Sequence, residues 1–294
     1  MEEKKKVSVV MSCYNAEKTL ERAMNSVLSN TYKNIELLII EDCSTDDSLH
    51  IATKIANRDS RVRIILHKEN QGAGVSRKDG IEKAEGEYIC FCDSDDVLLK
   101  DHISNLVNAS IKYDADIVTS GFCSIDGDTN EVIDDRKVDE VEVLEGNRKY
   151  AVLKVDVLRF LNPSLVRKHL WEKVTYSTRR FIEDSPTLIK LLWYANKRVV
   201  LPESTYQYYQ NKGSLTHIEN SFREAIYQIL CVIDTYKFFT KEVGKPEMTS
   251  PIMVMAKVAE YLTETPTDKD KEEFINEIKE VKQFIVDYYE EKFE

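Results

Sequence analysis

From Val7 to about Phe122, short apolar runs alternate with amphipathic segments, and that alternation leaves few folds open. The runs "VSVVMSC" (7–13), "IELLIIE" (35–41), "VRIILH" (62–67), "YICFC" (88–92) and "DIVTSGF" (116–122) read as buried strands. Between the first two, "AEKTLERAMNSVLSN" sets Leu20, Ala23, Met24, Val27 and Leu28 on one helical face. The next crossover does the same with Leu49, Ala52, Ile55 and Ala56. Parallel strands need such crossovers, so the pattern predicts an α/β fold: a mostly parallel sheet flanked by helices.

A net charge of −11 over 294 residues argues against a nucleic-acid partner, because phosphate backbones are held by a surplus of Lys and Arg. Any anionic ligand must be held locally. The charged N-terminus runs straight into the first strand without an apolar leader, which predicts a cytoplasmic chain. Its six cysteines lie mostly in apolar, strand-like surroundings and read as reduced core thiols.

Residues 124–145 hold nine acids against two bases around short alternating apolar positions, and predict a solvated hairpin or edge excursion. A further helix is expected around 146–160, followed by a basic passage from Arg167 to Arg180 that could meet a lipid-linked acceptor at a membrane or be a solvated face. "EDSPTLIKLLWYANK" predicts a helix with Glu183, Asp184 and Ser185 at its start, and 198–217 a short strand, a turn and a strand. From Asn220 the chain reads as helical; its last helix carries a stripe of Phe274, Ile278, Val281, Ile285 and Tyr288, suited to the catalytic body or to a second copy in a homodimer. The expected domains are 1–218, divided at about 122 into donor and acceptor halves, and a helical extension over 219–294.

Ligands of open parallel sheets gather at the carboxyl ends of the strands. Three polar strand ends meet that condition: "SCYN" (12–15), "EDCSTDD" (41–47) and "DSDD" (93–96). Asp93, Asp95 and Asp96 in four positions repel one another unless a cation such as Mg²⁺ or Mn²⁺ sits among them, although a turn and helix cap would use the same residue types.

With those motifs in order, residues 5–120 closely resemble family-2 glycosyltransferases of the GT-A fold, and 160–217 resemble them more loosely. The resemblance implies transfer, with inversion, from a nucleotide-diphosphate sugar such as a UDP-sugar to a hydroxyl of a saccharide or lipid-linked saccharide, in polysaccharide or glycoconjugate synthesis. It implies donor contacts for Ser12, Tyr14, Asp42, Arg77, Asp93 and Asp95, and a divalent metal (Mn or Mg) at Asp95, Asp96 and His217. It makes Asp184 the general base and Glu183 its companion at the acceptor. Trp171 could stack on an acceptor sugar or sit in the core. Glu41, Cys43 and Ser12 depart from the family's usual Asp, Gly and Pro, which keeps open a non-catalytic nucleotide-sugar-binding protein; a phosphoacceptor domain would leave the Tyr-Asn and Glu-Asp motifs idle.

Overall fold

The computed structural model describes residues 5–146, 160–179, 182–211, 221–244 and 267–293. The chain divides into two compact units, Met1–Ser214 and Leu215–Glu294. In the first, strands β1 (Val7–Cys13), β2 (Ile35–Glu41), β3 (Val62–Leu66), β4 (Tyr88–Phe91), β5 (Val97–Leu98), β6 (Ile117–Asp126), β7 (Val132–Arg136), β8 (Glu142–Glu145), β9 (Ser164–Arg167) and β10 (Lys197–Gln210) form one sheet. Its order is β3-β2-β1-β4-β9-β6-β10-β5, with β7 on β6 and β8 on β10.

The parallel core expected from the alternation is β3-β2-β1-β4, with a second parallel pair at β6 and β10. The sheet as a whole is mixed, because β9 enters between β4 and β6 running the opposite way. That strand follows the segment 147–159, where the expected helix lies outside the described residues. The acidic stretch 124–145 does form a hairpin, β7 lying antiparallel on β6, before β8 joins β10.

β2 is buried along its whole length, so its side chains feed both faces. Leu37 and Ile39 pack with Leu20, Ala23, Met24 and Val27 of α1 (Leu20–Leu28) and with Leu106 of α4 (His102–Tyr113). Leu38 and Ile40 pack on the other face with Leu188, Leu191 and Leu192 of α6 (Asp184–Tyr194). On α2 (Ser48–Ala56), Leu49 stands outside the expected stripe, and Ile51 packs in its stead beside Ala52. The helix α3 (Ala73–Lys83) closes against the face of Leu38 and Ile40, and α5 (Lys168–Trp171) follows β9.

Where two strands were expected over 198–217, one long β10 runs through shifts of register against β6 between Val200 and Tyr206, and 212–217 lie outside the described residues. Pro202 lies there, without an N–H to donate, and a bulge absorbs it without ending the strand. In the C-terminal unit, the stripe of α9 (Ile275–Phe293) finds its contacts on α7 (Ser221–Lys237), with Phe274 against Phe222 and Tyr227, and Phe284 and Tyr288 against Tyr236. A π-helical turn, Phe238–Glu242, follows α7, and α8 (Asp268–Glu273) opens with a capping box from Thr267 to Asp270. No described helix is long and apolar enough to cross a membrane.

Gly80 sets how closely α3 lies on the sheet: a Cβ there would stand 2.3 Å from Cγ1 of Val10 and 3.3 Å from Cγ1 of Ile40. Alanine gains about 1 kcal/mol of helix propensity over glycine. The overlap with a packed core costs about 1–3 kcal/mol and outweighs it. Gly80→Ala is expected to lower stability in denaturant unfolding, and an increase would refute the close packing.

Candidate active site

The strand ends coincide as parallel pairing requires. Cys13 is in register with Glu41, and Glu41 with Leu66, while β4 ends beside β1. Residues 12–15, 41–47, 67–72 and 92–96 therefore share one edge of the sheet.

The three acids after β4 are separated by their partners. Asp93 accepts from Arg77 Nη2 at 2.5 Å and from Asn162 Nδ2 at 2.7 Å. Asp95 stays partly exposed, accepting from Asn211 Nδ2 at 3.0 Å, while its carbonyl accepts from Arg22 at 2.6 Å. That guanidinium lies 3.6 Å from the centre of the Tyr209 ring, which holds it by a cation–π contact. Asp96 is fully buried, with one oxygen accepting from the Tyr206 hydroxyl at 2.5 Å and the other from Tyr209 N at 2.9 Å. Burial and then the charge of Asp93 raise the Asp95 carboxyl. Burial, with Asp95 and Asp93 behind it, raises Asp96 well above the carboxylate range.

Arg77 of α3 is buried and joins this motif to the next. Its guanidinium donates to Asp93 and to Glu183, and lies 3.5 Å from the Tyr176 hydroxyl. Burial opposes its charge, but Asp93, Tyr176 and Glu183 outweigh that and hold its pKa well above the ordinary value. Two carboxylates thus occupy the side chain for which the resemblance implies the donor diphosphate.

Glu183 and Asp184 sit at the start of α6, as expected, but neither caps it through a side chain onto later amides. Asp184 Oδ1 accepts from the adjacent Ser185 N at 2.8 Å, and Thr187 Oγ1 donates to the Glu183 carbonyl at 2.7 Å. Burial, then the neighbouring Glu183 charge, push Asp184 up to about 7, against the pull of Arg77. Ile182, just before the pair, has φ +54°, a left-handed conformation rare for a β-branched residue.

At the other end of the edge, Tyr14 is half exposed beyond Ser12 and β1. Asn15 Oδ1 accepts from Thr45 N at 2.8 Å and ties that turn to the one after β2. Asp42 is buried and accepts from the amides of Gln71 at 2.9 Å and Gly72 at 2.7 Å. Cys43, in the family's Gly position, has φ +63°.

Several expectations are redistributed. His217 and Arg180 lie outside the described residues. Among the described residues, no three His, Cys, Asp or Glu side chains converge as a metal site. Asp95 nevertheless suits a hard divalent cation as a ligand, because its carboxylate stays partly exposed and is raised by burial and then by the charge of Asp93, which such an ion would offset. Trp171 does not offer a stacking face to a sugar: it is 9% exposed, stacked on Tyr176 and edge-on to Phe91 in the core. The basic passage is no open patch at its start, since Arg167 pairs with Asp114 at 2.7 Å and Lys168 donates to the Ala84 carbonyl. The thiols of Cys13 and Cys90 are buried, pushed by that burial up to about 12, and unreactive. Arg22, Asn162, Tyr176, Tyr206, Tyr209 and Asn211 had no signal at motif spacing; only the density of Tyr and Asn in "STYQYYQN" set the last three apart.

The chain has clear relatives. The model of glycosyl transferase family 2 matches residues 8–172, more than half the chain. The chain belongs to that family. It is 33% identical to the glycosyltransferase GlyG of Streptococcus pneumoniae serotype 4 over 222 residues, 72% of this chain and 73% of GlyG. It is 38% identical over 97 residues to TuaG of Bacillus subtilis strain 168, a putative teichuronic acid biosynthesis glycosyltransferase; those residues are 33% of this chain and 38% of TuaG. Among solved structures, residues 1–349 of S. aureus TarS in complex with UDP-GlcNAc share the fold, with TM-score 0.66 at 21% identity over 78% of this chain and 66% of that one.

Two outcomes follow from the geometry. Cys43→Gly removes a side chain from a left-handed position and should stabilise the fold by about 1 kcal/mol, read as a higher Tm. The Asp184 carboxyl is raised on folding from about 3.9 to about 7, so its contribution is fully present below pH about 4 and is lost as pH rises through 7. Asp184→Asn should therefore be more stable than the parent at pH 8, by up to about 4 kcal/mol, with the difference vanishing near pH 4. Equal stabilities at pH 8 would overturn the assignment.

Proposed function

We propose that this chain transfers a sugar, with inversion, from a UDP-sugar to a hydroxyl of a growing polysaccharide or glycoconjugate, with Asp184 as general base. The observation that carries the reading is the buried Asp184 carboxyl, pushed up to about 7 by burial and by Glu183, whose own carboxylate is joined through Arg77 to Asp93 of the strand-end acidic motif. A base so tuned is half ionised at neutral pH and still basic enough to take a hydroxyl proton. The acceptor oxygen attacks the anomeric carbon, the bond from that carbon to the phosphate oxygen breaks, and its electron pair leaves with the nucleoside diphosphate. The acceptor proton passes to a carboxylate oxygen of Asp184. Glu183 orients the acceptor while it anchors Arg77.

Asp95, with Asp93 beside it, is the pair that would hold a divalent ion, whose chemistry is to offset charge on the departing diphosphate. Asp96 serves this pair from behind, its oxygens given to Tyr206 and Tyr209. Ser12, Tyr14 and Asp42 form the nucleobase end, where Tyr14 offers a stacking face and Asp42 an acceptor for a ring N–H. The choice of a UDP-sugar and of a polysaccharide product is supported by UDP-GlcNAc in TarS and by the teichuronic acid assignment of TuaG.

Transfer measured across UDP-, GDP- and dTDP-sugars with Mn²⁺ tests the reading. Asp184→Asn should retain UDP binding while kcat falls by about 10²-fold or more, and the parent kcat should rise to a plateau above an apparent pKa near 7. Unchanged transfer in that variant rejects Asp184 as the base. Nucleotide binding without transfer to any acceptor would leave a binding protein instead.

A further inference from the structure

His67 lies where the reaction above does not use it, yet its ring is enclosed between two carboxylates. It follows β3, its backbone N–H donating to the Glu41 carbonyl at 2.9 Å, and its side chain is 5% exposed. Nδ1 stands 2.7 Å from Oδ1 of Asp42, and Nε2 stands 3.1 Å from Oδ2 of Asp79 on α3. A carboxylate oxygen only accepts, so both contacts are satisfied together when the ring donates from both nitrogens. Asp42 also receives the amides of Gln71 and Gly72. Three donors therefore fill most of the roughly four lone-pair directions a carboxylate has. Without them its terminal torsion is broad and roughly two-fold.

We infer that His67 is a positioning residue for the nucleobase pocket: backed by Asp79, it fixes the Asp42 carboxylate so that its remaining acceptor direction serves the ring N–H of a uracil-type base. The inference rests on Asp42 being the base reader. It also explains why a buried imidazole stands between carboxylates just after β2 and on α3: it ties the base end of the edge to the helix that carries Arg77. Uracil presents a ring N–H where cytosine presents a bare acceptor nitrogen. A locked acceptor therefore discriminates the two, whereas a carboxylate free to turn does so poorly.

The test uses the whole chain with Mn²⁺, UDP and CDP titrated by calorimetry, and donor kinetics. Glutamine at 67 can donate to Asp42 or to Asp79 but not to both. His67→Gln should raise Kd for UDP and KM for the donor about tenfold, the loss of one charge-assisted hydrogen bond, with the larger part of the effect in KM and not in kcat. The preference for UDP over CDP should fall with it. Asp79→Asn keeps an acceptor oxygen and should give a smaller rise, about threefold. A double variant with Asp42→Asn should be no worse than Asp42→Asn alone, because His67 acts through Asp42. Unchanged KM and UDP preference in His67→Gln, while Asp42→Asn loses UDP affinity, would overturn the role of His67 and leave the base reading standing. Full UDP affinity in Asp42→Asn would overturn the base reading itself, and the inference with it. Should His67→Gln fail to fold, Asp79→Asn applies the same criteria from the far side of the ring.

Discussion

The buried guanidinium of Arg77 is the contact on which the rest of the site depends. It donates at once to Asp93, from the loop after β4, and to Glu183, from the start of α6, two residues ninety positions apart. Neither carboxylate would be stable so close to the other without it. A buried charge left alone costs several kcal/mol, so a single arginine between two carboxylates enforces the approach of both loops. The close seating of α3 on β1 and β2 through Gly80 holds the helix that presents it.

Charge crowding is resolved by assigning each acid a different environment. Asp93 is neutralised by Arg77 and Asn162, Asp96 is taken up by Tyr206 and Tyr209, and Asp95 is left raised and partly exposed. The same separation operates at α6, where Glu183 takes the arginine and Asp184 is left near 7. In each group one carboxyl, Asp95 or Asp184, is left raised, while the others are held by buried partners.

Much of this could be read directly from residue order. Alternation located five of the six strands of the first half, all but the two-residue β5, and the first two crossover helices, because a strand buried on both faces must be continuously apolar and a covering helix must repeat at 3.6. The acids at the strand ends were legible for the same reason: strand ends in a parallel sheet converge wherever the strands pair in register. Long-range partners were not legible. Asn162, Tyr176, Tyr206 and Asn211 reach the site from segments whose local pattern is ordinary, and where the sequence reads as a strand, a turn and a strand, β6 supplies the ladder in which a bulge absorbs Pro202.

Sequence by itself determined the α/β class, the edge on which ligands gather and the residue types present there, since all three follow from periodicity and from the direction of the chain. Only the tertiary structure decided what each carboxylate does. A side chain's role as strut, ligand or base is set by which donors reach it and how much water it keeps, and here those donors come from β10, α3 and the segment before β9, far away in the chain.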